Sequence, residues 1–509
     1  MPTTPTHRRS SSLPLVRLLL GAASVSLLGV ALTDQPARAA SFNVTVFTDG
    51  GAGSLRDAIS QANANPGPDT ITLPAGTYTL SIAGINEDLN ATGDLDISGD
   101  TTIVGAGAAT TTIDAGDIDR ALDVHGGSTL IQNLTITNGA APADRGGNLL
   151  QRGGANLSVE DSVVSNGAAL WGAGAAGNGA GLLQFTRTEI IGNVATGIQG
   201  TGPIGYAIHK EGGAGGTLTL NASLVANNGA VGDSLGAIYV HSNATFTNST
   251  ITGNSGFFRT VLLESYGDES LTAGFVHVTI AGNHASGIIG SGNALATNVL
   301  APATMDLTVE GSLFQDNLVN GASSNCAVLS GGAIVSGGHN LTDDTTCTTF
   351  TQAGDQTGNH STSLGVLAGN GGATRTMALL AGSSAIDAAG ACGAATPTDQ
   401  RGVARPQGPA CDVGAYEVPV VVEEPTTSTT TTTSTTTTTP ASTEPATTPP
   451  TSAGSGGGAP TTLPAPPATV AHDTLPATGG SGANGFWLAT LVCSLGGLLV
   501  LATRRRVAR

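Results

Sequence analysis

The feature that most constrains this chain is an eight-position template, apolar-x-apolar-x-x-(Ser/Thr)-x-apolar, that recurs through its middle. It reads Leu157, Val159, Ser162, Val164, then Leu183, Phe185, Thr188, Ile190, then Leu218, Leu220, Ser223, Val225. Further copies are Ala244, Phe246, Ser249, Ile251, then Ala273, Phe275, Val278, Ile280, then Leu307, Val309, Ser312, Phe314. A looser first copy is Thr129, Ile131, Leu134, Ile136. Asn follows the last apolar position by two or three places each time: Asn138, Asn166, Asn193, Asn228, Asn254, Asn283 and Asn317. Period-2 alternation predicts a strand with one buried face, and the offset of three predicts a corner into a second short strand. The units are too short and too rich in Gly for helix pairs. They fit a coil whose turns stack as parallel strands, with loops absorbing the variation in length. Asn at the turn suits a left-handed backbone, and stacked amides can bond along the axis.

Stretches such as Gly236-Ala237-Ile238-Tyr239-Val240 followed by Thr245 to Asn254 resemble right-handed parallel β-helix proteins of the pectate-lyase-like superfamily. The expectation is therefore an all-β solenoid over residues 41–350, its handedness taken from that resemblance. A solenoid needs covered ends. Ser54 is placed as the N-cap of a short helix with Asp57 as its capping partner, and Leu55, Ile59 and Ala62 are placed over the first coil. Asp69 to Tyr78 should form the first rung. At the far end, Asp399-Gln400-Arg401-Gly402, Arg405-Pro406 and Cys411-Asp412-Val413-Gly414-Ala415-Tyr416-Glu417 resemble the choice-of-anchor Q domain, which implies a C-terminal cap over residues 351–418 and a surface location.

The two ends of the chain read as addresses. Residues 1–40 combine Arg8, Arg9 and Arg17, an apolar run from Leu18 to Leu32, and Ala37-Arg38-Ala39, the pattern of a secretory signal peptide. A short buried helix is the alternative. Leu475-Pro476-Ala477-Thr478-Gly479, an apolar run from Phe486 to Ala502 and the basic tail from Arg504 to Arg509 resemble the LPxTG cell-wall sorting signal of Gram-positive bacteria. That resemblance implies sortase as a partner, transient membrane anchoring by a hydrophobic helix, cleavage after Thr478, and amide linkage of Thr478 to peptidoglycan. A retained tail anchor is the alternative. Residues 419–474 form a Thr/Pro/Ser-rich tract that cannot bury a core, a disordered stalk reaching roughly 170 Å at about 3.1 Å per residue.

Charge narrows the partners. The net charge is −18, charged residues make up 11%, and the chain has a single lysine, Lys210. Arginines are concentrated at the two ends, so the part between them is more negative still, and nucleic acid is excluded as a partner. Cys326, Cys347, Cys392 and Cys411 lie outside the tail, an even number in an exported chain. Of three possible connectivities the sequential pairs Cys326–Cys347 and Cys392–Cys411 are favoured, each closing a short loop near the C-terminal cap. No metal site and no cofactor are predicted.

A polysaccharide lyase or hydrolase would need clustered carboxylates with a basic group nearby. The position three before the last apolar residue reads Asn133, Asp161, Arg187, Ala222, Asn248, His277, Gly311, which predicts one surface ion pair and no carboxylate doublet on neighbouring rungs. Asp114, Asp117, Asp119 and Asp123 are read as a solvated turn and rung ends, with Ca²⁺ binding as the alternative. Candidate ligand contacts are Trp171, for sugar stacking, and a polar loop formed by Tyr206, His209, Lys210 and Glu211. No catalytic residue is assigned. The sequence favours a non-catalytic, wall-anchored surface protein for adhesion or contact with polysaccharide or a neighbouring or host cell. The alternatives are a secreted polysaccharide-degrading enzyme and a structural envelope component.

Overall fold

A computed structural model describes residues 38–420, apart from 86, 200–201, 230–234, 288–293, 359–361 and 394–395. Most of the expected signal peptide, nearly all of the expected stalk, and the expected sorting signal, from Leu475 to Arg509, lie outside the described residues.

The chain winds as a parallel β-helix. From Leu95 on, successive coils contribute strands to three long faces. The first face runs from Leu95–Ile97 through Leu122–Val124, Leu149–Arg152 and Ala175–Asn178 toward Leu295–Val299 and Cys326–Ser330. The second runs from Ser41–Asn43 and Asp69–Leu73 to Ile334–Gly338. These two merge into one 18-stranded sheet because Tyr206–Asn221 and Gly236–Thr247 continue round the corner between them. The third face is an 11-stranded sheet from Gly76–Thr79 to Gln356–Thr357. Shorter strands form partial fourth edges, such as Ala140–Arg145 beside Ala168–Trp171.

Register places equal template positions on top of one another. On the third face Ile136, Val164, Ile190, Val225, Ile251, Ile280 and Phe314 are successive partners, all fully buried. On the second face the column includes Phe246 and Phe275, whose rings stack at 4.3 Å. Such columns bury one apolar interior along the whole solenoid, each side chain covering the next.

The Asn positions divide into two roles. Two residues after the last apolar position the backbone is left-handed in every copy: Asn138, Asn166, Gly192, Asn227, Gly253, Gly282 and Asp316. Asn, Gly and Asp are the residues that tolerate this conformation best. Three residues after it stands a buried amide column. Asn148 donates to Asn193, Asn193 to Asn228, Asn228 to Asn254, Asn254 to Asn283 and Asn283 to Asn317, at 2.8 to 3.1 Å. Each of Asn193 to Asn317 also donates to the carbonyl of an apolar residue in the preceding coil, as Asn254 does to Val225. Asn138 and Asn166 stay outside the column. In their coils the following glycines, Gly139 and Gly167, give their N–H to Asn148 and Asn193.

A parallel arrangement holds at the other corner, where Asn133, Asp161, Arg187, Ala222, Asn248, His277 and Gly311 are all left-handed. The template hydroxyl just after them bridges coils: Ser223 Oγ accepts from Thr188 N–H, and Ser249 Oγ from Ser223 N–H. The predicted ion pair is present there, Arg187 to Asp161 at 2.7 Å.

The helix Leu55–Ala64 covers the first coil as expected. Ser54 accepts from the Asp57 N–H, Asp57 accepts from the Gly53 N–H, and Leu55, Ile59 and Ala62 are buried. At the opposite end a loop held by the Cys326–Cys347 disulfide places Phe350 against Phe314. Cys392–Cys411 is the second disulfide.

The segment after the last coil differs from a simple end cap, because it doubles back along the left-handed corner. Thr374 donates to the carbonyl of Ala222, Asn248 to that of Thr398, and Gly414 N–H to that of Gly311. Arg375 pairs with Glu189 at 2.7 Å across 186 residues. Left-handed corner residues interrupt the strand pairing and leave polar groups for the strap to take. The residues that carry the choice-of-anchor resemblance are partners of one another. Arg405 pairs with Glu417, both side chains almost unexposed, and donates to the carbonyls of Asp412 and Gly414. Arg401 binds Asp399 at 2.7 Å and lies 3.6 Å over the Tyr416 ring.

Two outcomes test this architecture. Asn254→Ala, which strips acceptors from Asn228 and a donor from Val225, should lower unfolding free energy by about 3 kcal/mol in urea titration, whereas exposed Thr245→Ala should change it by about 0.5 kcal/mol or less. Arg405→Met strands a buried carboxylate and should loosen the strap by about 3–5 kcal/mol, read as protease cutting within residues 361–418 while the coils persist, whereas Glu189→Gln should cost under about 1 kcal/mol.

Candidate functional site

Outward positions of the first face, with the loops beside it, gather a cluster of titratable and aromatic groups. Inward residues alternate with them: Ile97, Val124, Gln151, Gly177, Lys210, Val240 and Leu263 form one inward column. Lys210 therefore points into the solenoid, fully buried, with Nζ 2.8 Å from both Gln151 Oε1 and the Gly179 carbonyl. Gly177 makes this possible, since a Cβ there would stand 2.5 Å from Lys210 Cδ. Burial pushes the Lys210 pKa down to about 8.

The expected polar loop is instead a strand, Tyr206–Asn221. Lys210 cannot meet a ligand from solvent, and Tyr206 and His209 are each only 2% exposed. The five residues remain neighbours of a larger outward cluster. His209 lies between Trp171 at 5.1 Å and Tyr239 at 4.5 Å, the latter stacked. Tyr206 is 5.5 Å from Tyr239. Glu211 accepts from His209 Nε2 at 3.2 Å and pairs with Arg145 at 3.0 Å. Burial works against the Glu211 carboxylate, and the His209 N–H and Arg145 overcome it, holding its pKa at about 2.

The next rungs extend the pattern. His241 stacks on Tyr266 at 3.8 Å and approaches Glu269 to 2.9 Å. Glu264 accepts from the Tyr239 hydroxyl at 2.9 Å and from the Asn298 amide at 2.8 Å. Burial lowers the His241 pKa. Burial and the neighbouring carboxylates push Tyr266 up to about 12. Trp171 and Tyr266 are the partly open rings, Tyr266 being 37% exposed.

Toward the N-terminus the same side is acidic. Asp96 and Asp123 are direct register partners, so a carboxylate doublet on neighbouring rungs does exist, contrary to the expectation from the sequence. The repeated signal is Leu95-Asp96-Ile97 against Leu122-Asp123-Val124, on a face outside the eight-position template. Asp119 and Asp123 are buried, which also corrects their reading as solvated.

His125 Nε2 lies 2.9 Å from Asp96, and Arg152 donates to both Asp123 oxygens. Asp88 approaches His125 and Arg152 to 3.9 Å. Arg120 pairs with Asp94 at 3.0 Å and with Asp144. Burial, reinforced by Asp119, raises Asp94 to about 7.

Ligand atoms of Asp88, Asp96, Asp123 and His125 all lie within 4.8 Å of one another, the spacing of a cation site that the sequence did not predict. The fit is incomplete. Arg152 takes up Asp123, while His125 and the Asn90 N–H take up Asp96, so a cation would have to displace these donors. The Asp96 and Asp123 side chains are 2% and 1% exposed, too enclosed to reach a glycosidic oxygen in this arrangement.

No protein-family model matches this chain, and no curated protein does. Among solved structures, a crystal structure of the pectate lyase Pel9A aligns over 74% of this chain and 96% of its own length, at 18% identity and a TM-score of 0.38. The assignment as a parallel β-helix is carried by the strand register.

The buried amine gives a pH test. Its pKa is 10.5 when exposed and about 8 when folded, so between those values the unfolded chain binds more protons. Stability should therefore rise with pH across that window by up to about 3 kcal/mol. In paired urea titrations, Lys210→Met should remove that rise.

Proposed function

We propose that this chain is a cell-wall-anchored extracellular protein whose β-helix contacts polysaccharide along the outer side of its first face, without cleaving it. The observation that carries the contact is the joining of ring stacks, Trp171–His209–Tyr239 and His241–Tyr266, to carboxylates Glu211, Glu264 and Glu269 on one side of the coil. Partly exposed rings offer apolar faces to sugar C–H groups, and carboxylates accept from hydroxyls. The wall attachment rests on the sequence alone: the leader, the Thr/Pro stalk, and Leu475 to Gly479 with its apolar run and basic tail. In this reading sortase joins Thr478 to peptidoglycan, and the stalk holds the coil away from the membrane.

A second reading is favoured by one observation. Asp88, Asp96, Asp123 and His125 converge beside Arg152, the carboxylate-plus-base grouping that a polysaccharide-cleaving enzyme needs. Against it stands the burial of Asp96 and Asp123. Incubation of the chain with polysaccharides, with and without Ca²⁺, decides between them. Binding with no new chain ends supports contact alone, whereas chain ends that disappear in Asp96→Asn establish cleavage. For the anchor, a Thr478→Ala chain should remain extractable from membranes with detergent, whereas the parent should be released only by wall-degrading enzymes.

A further inference from the structure

We infer that the first face selects a cationic glycan, an amino-sugar polymer bearing free amines, over a polyuronate or a neutral chain. This rests on the polysaccharide reading above and names the chemistry of its ligand. Around the two ring stacks, Glu211, Glu264 and Glu269 face outward, and further along the same side stand Asp88 and Asp144, which are 62% and 50% exposed. The cations beside them are fewer than the carboxylates, and each is already paired. Arg145 is paired with Glu211, Arg152 with Asp123, and Arg120 is 4% exposed among Asp94, Asp119 and Asp144. The chain's lone lysine is turned into the core.

The partners of Glu264 are a tyrosine hydroxyl and an asparagine amide, both neutral. His241, beside Glu269, is held toward its neutral form by burial. A polyanion approaching this side meets an excess of carboxylates over cations, while an ammonium group beside Tyr266 gains both an ion pair with Glu269 and the face of an aromatic ring. Glu211 and Glu264 belong to strands two rungs apart, about 10 Å along the axis at the usual strand spacing.

The purified full chain is tested by biolayer interferometry against de-N-acetylated chitosan oligomers, fully N-acetylated chitin oligomers, polygalacturonate and polylysine. The expected result is binding to chitosan that is at least tenfold tighter than to the acetylated oligomers and weakens as salt is raised to about 0.5 M. Glu264→Gln with Glu269→Gln should weaken it roughly tenfold. Asp306→Asn, an exposed carboxylate on the second face, should leave it unchanged. Circular dichroism confirms that each variant retains its sheet signal.

Equal affinity for acetylated oligomers would overturn the charge selectivity and leave polysaccharide contact standing. Preference for polygalacturonate would overturn it as well, and polylysine binding as tightly as chitosan would reassign the face to cationic peptides. Binding to no glycan on a wider array would overturn this inference and the polysaccharide reading together.

Discussion

A solenoid of this kind has a dry interior through which a polar backbone must turn several corners per coil, and the asparagine column meets that demand. Each amide from Asn193 to Asn317 donates to the next amide and also to a backbone carbonyl of the preceding coil, so corner groups that would be orphaned are paired. Because donor and acceptor lie in consecutive coils, the column sets register as well as satisfying polarity. A coil slipped by one residue would break its amide bonds and turn its apolar set outward. The hydroxyl column at the other corner imposes the same rule, so both ends of the third face are pinned.

Locking the coils in this way leaves the left-handed corner as the surface with spare hydrogen-bonding capacity. The returning C-terminal segment uses it. Its contacts, from Arg375 with Glu189 to Gly414 with Gly311, span several rungs, and its own fold is organised by the buried pairs Arg405–Glu417 and Arg401–Asp399. A segment fixed on several coils at once couples their stability, because no one of those coils can open without releasing the strap.

The first face carries a different burden. Its inward column exchanges apolar residues for Gln151, Gly177 and Lys210 over three rungs, and its outward side gathers rings and carboxylates. A buried amine costs stability, which Gln151 and the Gly179 carbonyl offset in part by accepting its protons. Polar groups thus enter the inward column of this face, whereas the inward column of the third face from Ile136 to Phe314 is wholly apolar. That asymmetry supports the proposal that the first face is the one to meet a ligand.

Much of the fold was legible in the chain itself. The template from Leu157 to Phe314, the Asn that follows it, and the Ser54–Asp57 cap are local patterns whose physics needs no long-range information. Period 2 gives strands, the offset of three gives a corner, and a hydroxyl before a helical turn gives a cap. The sequential cysteine pairs were favoured over two other connectivities because each closes a short loop, and the structure has them. The candidate site was far less legible. Asp96 meets Asp123, and His209 meets Trp171 and Tyr239, only because the coils stack with one particular offset, and no single coil contains the cluster. Side-chain direction at Lys210 was decided the same way, by the phase of one strand against its neighbours. The sequence by itself therefore determined what each coil is and where it turns, because those choices are made by residues a few positions apart. The tertiary structure alone decided which coils' side chains meet on a face and where the strap lies, because those contacts depend on register summed over every preceding turn.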